Sequence, residues 1–185
     1  MADFHYETDR LILRDWREED WPRFWEGTNT EPVMRWLGGV CDDDKRIAAQ
    51  ERLLSYERDH GHTFWCVERK DDSAILGFCG LKRSNQDGGP IGMMEVGWRL
   101  REDAWGRGYA REAAIASLDL AFTRFDADEV IALTVQKNTP SWGLMLRLGM
   151  ERREDLDFAN SDFDSESGTI IVYSIAKGAW KASCA

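Results

Sequence analysis

The sequence predicts a single α/β domain on a mixed sheet. Three observations carry this: strand-type runs that alternate in polarity, helix-type runs between them, and too few strand–helix–strand units for a doubly wound parallel fold. The order is strand, two helices, three strands in hairpin-like succession, a helix, a strand, a short helix and closing strands. At 185 residues the chain can bury one core that needs neither a disulfide framework nor a structural metal. No internal repeat, low-complexity tract or linker divides it, so residues 1–185 are read as one domain.

Leu11 to Trp16 reads as the first strand, and Glu18-Glu19-Asp20 supplies the acidic first turn of a helix carrying Trp21, Phe24 and Trp25. A second helix is expected from about Asp43 to Arg58, with Asp42 to Asp44 as N-caps, Gly61 as its stop and Ile47, Leu53 and Leu54 facing inward. Phe64 to Glu68 and Ile75 to Leu81 form a hairpin across Lys70-Asp71-Asp72-Ser73. Ser84 to Gly92 is loop, and Met94 to Leu100 alternates as a strand in which Gly97 marks a bulge or a close backbone approach. Gly108 to Phe125 has helical spacing through Ala110, Ala114, Leu118 and Ala121. Val130 to Val135 is a buried strand, Pro140 to Leu148 a short helix ended by Gly149, and Thr169 to Ile175 a last strand.

Thirty-four acids against twenty-four bases give a formal charge of −10, which argues against a nucleic-acid surface and for a neutral or cationic partner. No apolar run is long enough to span a membrane, and Met1 to Tyr6 lacks the regions of a signal peptide, so a cytoplasmic location without membrane association is expected. The four cysteines show no metal-type spacing; Cys66 and Cys79 read as buried free thiols, His60-Gly61-His62 as a polar helix end, and no metal site is assigned.

The chemistry concentrates in Trp105-Gly106-Arg107-Gly108-Tyr109-Ala110-Arg111, between a strand and a helix. Glycines at such a turn let unpaired N–H groups and the positive helix end face an anion. A dinucleotide fingerprint would need glycine or alanine where Arg111 stands, and no P-loop pattern occurs. Read alone, the glycines serve equally to turn the chain. Downstream, Thr139 is the expected N-cap and Pro140 the first residue of the short helix, leaving the Ser141 hydroxyl on its first turn, as a helix-start residue or as a ligand contact.

Together these segments resemble the GNAT superfamily of N-acetyltransferases, and within it the RimJ/RimL-like branch. The family's coenzyme loop, (Gln/Arg)-x-x-Gly-x-(Gly/Ala), aligns with Trp105 to Ala110, with Gly108 and Ala110 in register and Trp105 departing at the first position. Thr8, Arg10, Leu11, Leu13 and Arg14 match the branch's opening motif. Glu95, Val96, Gly97 and Trp98 match its Glu-(Ile/Val)-Gly-(Tyr/Trp) strand, and Asn138, Ser141, Leu148, Gly149 and Met150 match its Asn-x-x-Ser and Leu-Gly-(Phe/Met) pair.

The resemblance implies a mostly antiparallel sheet with a splay between its central strands, flanked by helices, and acetyl-CoA as cosubstrate with no metal. Its pyrophosphate would lie on Trp105, Gly106, Arg107, Gly108, Tyr109, Ala110 and Arg111, and its pantetheine arm along Val96, Trp98 and Leu100 as an added strand. Backbone N–H donors would face the acetyl carbonyl. The amine would attack directly in a ternary complex, with Glu95 as base, Ser141 as acid in place of the family's tyrosine, whose register holds Met145, and Asn138 orienting the coenzyme or the serine. Glu95 reads almost as well as a strand-end carboxylate paired with an arginine. The acceptor is a protein N-terminal amine or a small cationic amine, and a homodimer stays open. Trp21, Trp25 and Trp36 either line its pocket or belong to the core. The alternative is a non-catalytic acyl-CoA-binding regulatory domain. From Glu151 to Gly168 seven acids and two arginines carry half the formal charge, as a solvated loop or as an attractor for a cationic acceptor.

Overall fold

The computed structural model describes residues 4–160 and 169–183. Its strands are β1 (His5–Glu7), β2 (Leu11–Arg14), β3 (Phe64–Arg69), β4 (Ile75–Arg83), β5 (Met94–Leu100), β6 (Glu129–Val135), β7 (Glu151–Arg152), β8 (Phe158–Ala159) and β9 (Thr169–Ala176). The helices are α1 (Asp20–Thr28), α2 (Glu31–Met34), α3 (Asp43–His60), α4 (Tyr109–Thr123), α5 (Thr139–Arg147) and α6 (Lys177–Ser183). All nine strands join one sheet in the order β1-β2-β3-β4-β5-β6-β9-β7, with β8 also on β9.

Every strand pair is antiparallel except β5 with β6. These two run parallel and pair only through Met94 with Val130 and Glu95 with Ile131. Beyond that point each strand continues without the other, to Leu100 and to Val135. This is the expected splay.

Alternation of side chains along the strands builds a core on each face. On one face, Val96, Leu81 and Ala132 pack under α4, whose Ala113, Ala114, Leu118 and Ala121 are fully buried and let the helix approach closely. On the other, Trp16, Trp21, Phe24 and Trp25 form an aromatic block with Cys66 and Ile75 beneath α1, while Ile131, Val135, Phe158, Ile170 and Val172 make a third cluster. Each fully buried Leu or Phe in these clusters contributes roughly 1.5–3 kcal/mol. Cys66 and Cys79 are buried free thiols.

α1 is tied to the sheet by charge as well as packing. Arg14 on β2 meets Asp20 through two buried bonds of 2.7 and 2.8 Å and the half-buried Glu68 at 2.7 Å.

Several expectations are corrected. Ile47 and Leu54 of α3 point to solvent, because the inward stripe is Ala49, Gln50, Leu53 and Tyr56. Gln50 there accepts from the Trp25 indole at 3.1 Å, and the Tyr56 hydroxyl accepts the Arg83 N–H. A polar residue thus does what an apolar pattern cannot reveal. Gly97 carries no bulge, and what approaches it is a side chain and not backbone: a Cβ there would lie 2.7 Å from the Phe64 ring, while the irregularity sits between Val67 and Glu68. Asn138, not Thr139, holds the N-cap position of α5. Strands β1, β7 and β8 and helices α2 and α6 lie outside the sequence reading. Gly61, at φ 70°, stops α3 as expected, and His62 beyond it is buried with Nδ1 3.0 Å from the Leu81 carbonyl oxygen. Among the described residues no helix is long and apolar enough to cross a membrane.

Candidate active site

Because β5 and β6 are parallel, both end at the open mouth of the splay, and each runs there into a helix start. β5 passes through a 3₁₀ turn, Glu102–Ala104, into the glycine turn and α4; β6 passes through Asn138 into α5.

At the glycine turn, Gly106 and Gly108 have φ of 71° and 82°, the left-handed region that favours glycine. Gly108 is the N-cap of α4 and, having no side chain, leaves the first-turn N–H groups of Tyr109, Ala110 and Arg111 uncapped; helix bonding starts with Glu112 N on the Gly108 carbonyl at 3.0 Å. A Cβ on Gly106 would meet nothing within 4 Å. Donors and open space thus coincide. Trp105 is exposed but anchored, its indole donating to the Leu100 carbonyl at 2.9 Å.

Arg10 braces this turn from β2's side of the sheet. It donates to the Arg107 carbonyl at 3.0 Å, pairs with Glu112 at 2.6 Å and stacks over the Tyr109 ring at 4.6 Å. Burial pushes the Glu112 carboxyl up, but bonds from Thr8 and Arg10 outweigh it and hold the group below its usual range. The motif match placed Arg10 in a pattern without showing this role, since the contact joins residues about a hundred positions apart.

The free edge of β5 follows from its bonding to β4. Arg101 N donates to the Leu76 carbonyl at 2.8 Å and Ser84 N to the Met93 carbonyl at 2.9 Å. Backbone groups alternate sides along a strand, so the odd-numbered residues of β5 face β4 and Val96, Trp98 and Leu100 aim theirs at the gap. The Val96 N–H is taken up by the Glu95–Ile131 pairing with β6 and the Trp105 indole occupies the Leu100 carbonyl, leaving the Val96 carbonyl, both groups of Trp98 and the Leu100 N–H.

Glu95 is buried on the face opposite α4, at the last pair before the strands part. Its neighbour is a lysine, not an arginine: Lys82 Nζ lies 3.5 Å from Oε2, too long to satisfy that oxygen. Burial pushes the carboxyl above its ordinary range although Lys82 pulls it down.

Around α5, the Asn138 side chain does not cap the helix but donates to Thr134 Oγ1 at 3.1 Å, while its carbonyl accepts the Ser141 N–H at 3.1 Å. Ser141 is half-buried, and its hydroxyl makes no hydrogen bond among the described residues. Met145 is buried in the α4-side core with Leu144. Ser141 therefore stands on the α4 side of the gap and Glu95 on the other, with the splay between them.

Trp21 and Trp25 belong to the aromatic block, and Trp36 packs half-buried against the Ile131 cluster. In the acidic segment, Asp157 is held by Arg152 and accepts the Val172 N–H at 3.0 Å, which makes it structural, whereas Asp155 is exposed and pairs with Arg153 at 2.8 Å on the surface. Asp162, Asp164 and Glu166 lie outside the described residues. No group of three or more His, Cys, Asp or Glu able to hold a metal occurs among the described residues.

Comparison with known proteins bears on the fold and the family. The chain is 27% identical over 150 residues to an uncharacterized N-acetyltransferase, YnaD, of Bacillus subtilis, covering 80% of this chain and 83% of that protein. It is 28% identical over 167 residues to an uncharacterized N-acetyltransferase, p20, of Bacillus licheniformis, covering 89% of each. Among solved structures, an acetyltransferase from Agrobacterium tumefaciens superposes with a TM-score of 0.79 at 22% identity over 95% of both chains. A ribosomal-protein-S5-alanine acetyltransferase from Vibrio fischeri does so with a TM-score of 0.73 at 16% identity, over 96% of this chain and 99% of that one. These structures share the fold. The family model described as Acetyltransferase (GNAT) domain matches residues 10–151, and the chain belongs to that family of N-acetyltransferases.

Proposed function

We propose that the chain binds acetyl-CoA at the mouth of the splay and transfers its acetyl group to a primary amine by direct attack in a ternary complex. The observation that carries this is the coincidence, at one end of two parallel strands, of an uncapped glycine turn and an unpaired strand edge. The turn offers N–H groups and room for a pyrophosphate, and the edge offers amides to a pantetheine arm.

Bound acetyl-CoA supplies an activated thioester carbonyl. The residues of the chain do the rest. N–H groups of β5 that face the gap stabilise negative charge on the carbonyl oxygen. Glu95 takes a proton from the amine, directly or through water, and its raised pKa brings it nearer the working range of a general base. Ser141, with its hydroxyl unengaged, gives a proton to the leaving sulfur, and Asn138 positions it through the backbone bond to its N–H. Residues 1–185 act as one acetyltransferase domain of the RimJ/RimL-like branch. The motifs from Thr8 to Arg14, at Glu95 to Trp98 and at Asn138 to Met150 support that branch. The acceptor is then a protein N-terminal amine or a small amine that is cationic in water.

The test is release of free CoA from acetyl-CoA in the presence of N-terminal peptides and small amines, with the product identified by mass. Amine-dependent release with a gain of one acetyl group is the expected result. CoA binding without amine-dependent release would contradict it.

A further inference from the structure

Arg14 shows how this chain buries an arginine for structure. Its guanidinium donates to Asp20 twice, to Glu68 and, at 2.9 Å, to the Asp15 carbonyl. Arg99 is built otherwise. Its Cζ lies 4.6, 5.1 and 5.0 Å from the ring centroids of Phe24, Trp25 and Phe78. Nη1 reaches the Met34 sulfur, a weak acceptor, at 3.2 Å, and Nε is buried with no acceptor at all. Among the described residues no carboxylate lies within ion-pair distance of it, in a chain with 34 acids and 24 bases. Aromatic faces attract the cation but leave its N–H groups unused. Burial draws its pKa down to about 10, so it stays charged at neutral pH.

Its position gives this vacancy a use. Side chains alternate along a strand, so Arg99 projects from β5 on the same face as Glu95 and Gly97, opposite α4. The chain covering that face touches Arg99 through Met34 and, two residues on, packs Trp36 against the Ile131 cluster of β6. It therefore bridges the splay on the side that carries the proposed base.

We propose that Arg99 anchors an anionic group of the acceptor, a carboxylate carried near the amine that is acetylated. Planar guanidinium donors suit a carboxylate, and the acidic excess of the chain suits the ammonium of the same molecule. Such an acceptor is a free amino acid or a peptide with an acidic residue beside its N-terminus. The inference rests on the acetyl-transfer reading for which end of the ligand reacts, whereas the anion site itself is read out by binding.

The experiment titrates the CoA-saturated full chain with matched pairs: an amino acid and its amide, and an Asp- or Glu-containing N-terminal peptide and its Asn or Gln counterpart. Wild type is expected to bind the carboxylate member of one pair about tenfold or more tightly, and which pair responds distinguishes the two sources. Arg99→Met should reduce that ratio below about twofold with CoA affinity unchanged. Arg99→Lys, which keeps the charge in the aromatic cage, should retain part of it and serves if the methionine variant does not fold. Equal binding within both pairs by wild type, or a preference that survives in Arg99→Met, overturns the proposal. Discrimination by binding without acetyl transfer would instead leave the anion site standing and remove the function proposed for the cleft.

Discussion

Glu95 and Ile131 form the last pair between β5 and β6, so the buried carboxylate of Glu95 stands at the apex of the cleft that opens beyond them. An ionised carboxylate there costs stability. Its folded-state pKa is raised by burial, so its contribution to stability is present below the unfolded value of 4.5 and lost as pH rises through the folded value. Glu95→Gln should therefore melt no lower than wild type at pH 7. Its turnover should fall about 10²- to 10⁴-fold, and the acidic limb of the pH–rate profile, displaced above 4.5 in wild type, should disappear. Wild-type turnover in this variant would reduce Glu95 to a partner of Lys82.

Ser141→Ala removes a hydroxyl that has no hydrogen bond to lose among the described residues. It should leave the melting temperature and acetyl-CoA affinity unchanged while lowering turnover about 10²-fold or more. Stopped-flow and steady-state rates check this, and an unchanged rate would pass the proton to water.

Arg10 should matter to CoA without touching the reacting atoms. It links Glu112, which Thr8 also bonds, to the Arg107 carbonyl through Nε and Nη1, and Lys lacks the planar fork that spans the two acceptors. Arg10→Lys should weaken CoA binding several-fold with the rate at saturating substrate preserved. A loss confined to that rate would contradict the bracing role.

The Arg14–Asp20 pair predicts an acid limit to stability. The Asp20 carboxyl is pushed up by burial but drawn lower still by Arg14 and by the Arg17 N–H, so its net pKa is depressed. A depressed carboxylate stabilises above its unfolded pKa of 3.8 and loses that contribution as pH falls through the folded value. Asp20→Asn should cost about 3–5 kcal/mol in denaturant unfolding at pH 7, with the difference from wild type shrinking in acid. A cost below about 1 kcal/mol would mean Arg14 finds another partner.

The sequence was most legible where local chemistry decides structure. The glycine turn into α4, the β3–β4 hairpin and the β6–α5 turn each rest on residues close in the chain, and all are found where expected apart from the α5 cap, which falls one residue earlier. What depends on distant contacts was not readable. The inward face of α3 is chosen by Trp25 and Arg83, neither near it in sequence. Arg10 and Arg99 acquire meaning only when β2 meets α4 and when α1 and α2 fold over β5. The short strands β1, β7 and β8 have too few residues to show a period; pairing with neighbours makes them strands.

The central claim is that the turn from Trp105 to Arg111 receives the CoA pyrophosphate, and calorimetric titration with CoA tests it most directly. Gly106 is the better site for a probe than Gly108, because a Cβ on Gly108 would lie 3.3 Å from Arg10 Nη2, which would neutralise an added carboxylate. Gly106→Asn and Gly106→Asp place the same demand on a left-handed backbone and differ in charge. Wild type and Gly106→Asn should bind CoA, and Gly106→Asp should bind it roughly tenfold or more weakly through repulsion of the phosphates. Equal affinity in the two folded variants would contradict the assignment of this turn as the pyrophosphate site.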